Sequence, residues 1–142
     1  MNATSRIVKI FHALTPLQRS LISAFSGFFF YGTWGVFVNW SHGVMTAVKA
    51  GIVQGSYSFV LTLCMTLLLE FVFKLNNRIF NKTQLINWST IIICCVAVFS
   101  VSWGVNAAAG TPEILRTVIL GYVIGSFYII TYVHGLAGSD EY

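Results

Sequence analysis

Two cations and three side-chain amides are the residues of this chain best placed to do chemistry. Lys49 and Arg116 stand in otherwise apolar surroundings, preceded at one common interval by Asn39 and Asn106, and Gln54 follows Lys49 by little more than a helical turn. A cation supplies charge and an amide supplies two N–H donors. Set near helix starts, the combination suits a phosphate or carboxylate. The expectation is an anion seat built from Lys49, Arg116, Asn39, Asn106 and Gln54, taking a lipid headgroup or a small anionic solute. Glu113 is the one acidic residue close enough in sequence to neutralise it. The plainer alternative has both cations snorkelling at helix ends toward the membrane surface.

Other chemistries lack their residues. There is no nucleophile elbow, P-loop, HExxH run or paired carboxylate, so no enzyme activity is expected. Cys64, Cys94 and Cys95 form no CxxC or Cys/His spacing, and His12, His42 and His134 are scattered, so no metal or other cofactor is expected. Glu70, four residues before Lys74, reads as an i, i+4 ion pair.

The elements that position these residues follow from composition. Of 142 residues, 56% are hydrophobic and only 8% charged, where a soluble domain carries about 25% charged. Mean hydropathy is +0.78. A soluble globular domain, a disordered tail and a secreted disulfide scaffold are all excluded, and the chain is an integral membrane protein. Four stretches approach the roughly 20 apolar residues that a spanning helix needs, at about 21–40, 52–73, 85–105 and 112–133. Continuous runs such as Ile91-Ile92-Ile93 do not alternate as barrel strands would. The expected fold is therefore all-α, with a transmembrane domain over 20–142.

Residues 1–19 form the other part. Ile7, Ile10, Phe11 and Leu14 share a helical face opposite Arg6 and Lys9, the pattern of an amphipathic helix lying in the interface. Thr15-Pro16-Leu17-Gln18 then reads as a capping box opening the first span, and Thr111-Pro112-Glu113 reads as a similar start to the fourth. Six Lys and Arg fall on the side of the N-terminus and the middle loop, against Lys49 and Arg116 on the other. The positive-inside rule then sets both termini in the cytoplasm of a bacterial-type inner membrane. It also accounts for the net charge of +4 without nucleic-acid binding.

The two halves echo each other. Thr33-Trp34-Gly35-Val36 matches Ser102-Trp103-Gly104-Val105, while Asn39, Gly43 and Lys49 match Asn106, Gly110 and Arg116 at one offset of 67. Each half would then be one helical hairpin, the two related as parallel repeats. Gly51 with Gly55, and Gly121 with Gly125, give the small-xxx-small spacing of close helix packing or of a homo-oligomer contact. The stretch Phe73-Lys74-Leu75-Asn76-Asn77-Arg78-Ile79-Phe80 resembles the Asn-Arg-aromatic element of GtrA-like proteins. That resemblance implies four spans and work on polyprenyl-phosphate-linked sugars, and it transfers no site residues.

The functional expectation is a small membrane protein that binds or translocates an anionic lipid or solute, as a homo-oligomer. The alternative is a non-catalytic scaffold subunit that holds a membrane protein partner.

Overall fold

The computed structural model describes residues 15–138, and the amphipathic segment before Thr15 lies outside them. Four helices account for nearly all of it: α1 (Pro16–Val38), α2 (Val44–Ile79), α3 (Thr83–Ala108) and α4 (Ile114–Gly138). Each is long and apolar enough to cross a membrane, and no strand occurs among the described residues. The fold is all-α and of membrane type. Large apolar side chains point outward on every helix, among them Phe29, Phe37, Leu67, Phe71, Ile92 and Phe127. That outward apolar surface is what a lipid solvent requires.

The helices run up and down, giving the bundle two distinct ends. One carries the α1–α2 and α3–α4 turns and is called here the hairpin end. The opposite end carries the α2–α3 turn. The start of α1 follows the sequence closely. Thr15 Oγ1 accepts from Gln18 N at 3.2 Å and Gln18 Oε1 accepts from Thr15 N at 2.9 Å, with proline in the first turn. Both hairpin turns place a glycine in the left-handed region, Gly43 at φ 94° and Gly110 at φ 72°. L side chains rarely adopt that conformation, which explains glycine at these two positions.

Packing differs from one seam to the next. Between α1 and α2 the backbones meet through glycine: a Cβ on Gly51 would lie 2.7 Å from the Gly32 oxygen, and one on Gly55 would lie 2.8 Å from the Phe28 oxygen. Away from the hairpin end, α2, α3 and α4 share an apolar core of Met65, Leu69, Val72, Phe73, Ile86, Ile91, Cys94, Val98, Ile129 and Val133. Asn76, on the segment resembling GtrA-like proteins, donates to Thr90 Oγ1 at 2.9 Å and ties α2 to α3. By contrast α1 and α4 touch sparsely. Their hydrogen bonds among the described residues all lie at the hairpin end, where Trp34 Nε1 donates to the Arg116 carbonyl at 2.9 Å and Asn39 reaches Thr117 and Glu113. Farther from that end the two helices part.

Candidate functional site: a cleft between α1 and α4

The parting of α1 from α4 leaves a part-enclosed cleft of about 490 Å³ inside the bundle, within the range of small-molecule sites. Tyr31, Ser20 and Ser23 line it from α1, and Gln54, Tyr57, Ser58 and Thr62 from α2. Val98 and Ser102 of α3 and Gly121, Tyr122, Gly125 and Tyr128 of α4 complete the wall. The lining is apolar apart from hydroxyls and one amide, and no charged side chain takes part among the described residues.

The five residues expected to seat an anion are not gathered into one group. Lys49 is exposed and makes no ion pair with a described residue. Arg116 is also exposed, with Nε 3.8 Å from Glu113 Oε2, and Glu113 Oε1 lies 3.2 Å from His42 Nε2. Neither cation lines the cleft. Asn39 and Asn106 are fully buried at the hairpin end. Asn39 Nδ2 donates to the Gly35 carbonyl and to Thr117 Oγ1, both at 2.9 Å, and Asn39 Oδ1 accepts from Glu113 N at 3.0 Å. Asn106 Nδ2 donates to the Ser102 carbonyl at 2.9 Å and to Gln54 Oε1 at 2.8 Å, while Asn106 Oδ1 accepts from Thr111 Oγ1 at 3.1 Å. Each asparagine has committed both amide protons, so neither has a donor left for an anion.

The Asn39 contact also changes the account of α4. Thr111 was expected to cap this helix, yet its hydroxyl turns to Asn106. The cap on the first turn comes from Asn39, at the end of α1, whose oxygen takes the Glu113 N–H. A buried helix start needs such an acceptor, and it need not be local.

Gln54 differs from the other two amides. It is 1% exposed and lines the cleft. Its orientation is fixed by the chain of bonds. The Ser102 carbonyl can only accept, so the Asn106 atom facing it is the NH₂ group, and the Gln54 atom facing that NH₂ must be oxygen. The Gln54 Nε2 group is thereby turned into the cleft, beside Gly121, with no hydrogen-bond partner among the described residues.

The four glycines grouped by their spacing also divide. Gly51 and Gly55 form the tight α1–α2 seam. A Cβ on Gly121 would make only ordinary contacts, 3.6 Å from Gln54 Nε2 and from the Tyr31 ring, and one on Gly125 would meet nothing within 4 Å. These two positions leave room in the cleft instead of letting helices touch. The sequence places Gln54 and Ser58 on one helical face, and both do line the cleft. The sequence reading missed Tyr31 and Tyr122, because tyrosine in an apolar span carries no spacing signal of its own.

Fold and cleft together define a class: a multi-pass, all-α membrane-type protein built on four spanning helices. No protein family, curated protein or solved structure matches the chain. The eight-residue likeness to GtrA-like proteins therefore carries no family assignment.

Proposed function

We propose that this protein binds a membrane lipid in the cleft between α1 and α4, exchanging it with the bilayer where the two helices part, and so serves lipid binding or translocation. The observation that carries this reading is a cleft that is apolar for most of its wall, free of charged side chains among the described residues, and lined at the hairpin end by the buried Gln54 amide. An ion taken from water would enter such a cleft uncompensated, at a cost of several kcal/mol or more. A lipid brings its own apolar surface. Of the two ligand classes considered from sequence, the lining therefore favours lipid over a small anionic solute. Lys49 and Arg116, exposed at the hairpin end, then meet headgroups of the surrounding bilayer.

Native mass spectrometry of the mildly extracted protein tests this reading, because it reports lipid, copy number and protein partners together. Lipid retained by the wild type and by a Lys49→Ala/Arg116→Ala variant, but lost from Gly125→Leu, supports the cleft. Lipid lost from the double variant and retained by Gly125→Leu transfers binding to the surface cations. An unrelated protein partner, with lipid indifferent to every substitution, leaves the scaffold reading.

A further inference from the structure

We infer that the closed end of the cleft recognises an uncharged oxygen acceptor, the ester or hydroxyl oxygen of a neutral acylglycerol-type lipid, with Gln54 Nε2 as the donor. The inference rests on the lipid reading above and adds the chemistry of the headgroup and the direction in which the lipid lies.

Three observations lead there. First, among the described lining residues Gln54 alone carries a side-chain N–H, and the Ser102–Asn106–Gln54 bonds fix that N–H₂ toward the cleft. The Gln54 N–H₂ group is open to the cleft and has no partner among the described residues, so a ligand oxygen entering the cleft can accept from it. Second, the polar groups of the α2 wall nearest Gln54 have spent their protons, and Thr66, farther along the helix, pairs with Tyr128 Oη at 3.4 Å. Ser58 Oγ donates to the Gln54 carbonyl at 2.8 Å, Thr62 Oγ1 to the Ser58 carbonyl at 2.7 Å, and Tyr57 Oη to the Val98 carbonyl at 2.9 Å. At the closed end of that wall the Gln54 amide is the donor, and the Tyr57, Ser58 and Thr62 hydroxyls offer lone pairs that suit the O–H groups of a glycerol. Third, no cation among the described residues lines the cleft, so a carboxylate or phosphate there would be buried without countercharge from them. The polar group accordingly sits at the closed end, near Gln54 and Gly121. The acyl chain runs away from the hairpin end, past Gly125, Ile124 and Tyr128, to the place where α1 and α4 separate.

The test uses monoolein as probe, with oleate and 1-octadecene as competitors of similar chain length, titrated into the full-length protein in detergent. Monoolein should bind the wild type more tightly than either competitor. Gly125→Leu, which projects into open space and leaves the amide network alone, should abolish binding of all three. Gln54→Leu should weaken monoolein about fivefold, the effect of one neutral hydrogen bond, and leave octadecene unchanged. Thermal melting of each variant separates lost binding from lost fold, and Gly121→Ala narrows the closed end as a second probe should Gln54→Leu not fold. With Gln54→Leu folded, equal binding of monoolein and octadecene, or tighter binding of oleate, overturns the acceptor inference while the lipid cleft stands. Binding indifferent to Gly125→Leu, or no binding at all, overturns both.

Discussion

Asn39 shows what a single side chain does in this bundle. Two of its three side-chain hydrogen bonds join the end of α1 to the first turn of α4, the third returns to α1 itself, and each polarity is determined. The Gly35 carbonyl can only accept, the Glu113 N–H can only donate, and Thr117 has given its proton to the Glu113 carbonyl at 2.7 Å. Asn39→Ala leaves the Glu113 N–H unpaired and removes both cross-bundle bonds, and thermal unfolding in detergent should show a loss of about 1–3 kcal/mol. Asn39→Asp should be no better, despite its similar shape, because its second oxygen would face a carbonyl and a hydroxyl lone pair. An aspartate variant melting with the wild type would show that the amide protons contribute nothing. The sequence singled out Asn39, Asn106 and Gln54 as amides to orient an anion, and the structure places all three buried, with both asparagines fully committed to the protein. Their partners were not legible, since Glu113 lies 74 positions from Asn39 and Gln54 lies 52 from Asn106. Only the fold decides which amide keeps a proton to spare.

At the level of elements, α1 is held by two unlike seams. Against α2 its backbone packs through glycine, with a Cβ on Gly35 falling 3.1 Å from the Gly51 Cα. Lipid is as apolar as leucine, so helices in a bilayer gain by close van der Waals approach instead of hydrophobic burial. Gly51→Ala and Gly55→Ala should therefore push α1 outward and lower stability by about 1–3 kcal/mol. Gly104→Ala, where nothing lies within 4 Å, should leave stability unchanged or raise it by up to about 1 kcal/mol. Melting temperatures of the three variants check the contrast, and equal losses would sink it. Spacing alone made Gly121 and Gly125 look like a second such seam. Their helix leans away from α1, a tertiary outcome that periodicity does not encode. The four spanning helices were legible from apolar length and the Thr15 capping box. Helix extent was less so: α2 has 36 residues, about 54 Å, and outreaches a hydrocarbon core of about 30 Å.

For the whole molecule, the excess of Lys and Arg in the N-terminal segment and around the α2–α3 turn predicts a direction of insertion. In intact cells, with the native cysteines replaced by alanine, a thiol at Ser41 should react with a membrane-impermeant maleimide. One at Asn81 should react only after permeabilisation. The reverse pattern would invert the topology and exchange the leaflet that faces the cleft's opening. The two hairpin turns also agree in detail. Each has a buried asparagine bound to the carbonyl four residues earlier, Gly35 or Ser102, and a left-handed glycine four residues later. The offset of 67 read from the sequence is thus also a correspondence of local geometry. The cap that α1 lends to α4 has a consequence for biogenesis. A ribosome delivers α1 long before α4, so the Asn39 amide enters the membrane with its cross-bundle partners still unsynthesised. The fourth span can finish its first turn only by docking against the first. Closure of the ring is thereby deferred to the last step of assembly, and a nascent chain halted after α3 would sit in the bilayer as an open, three-walled intermediate.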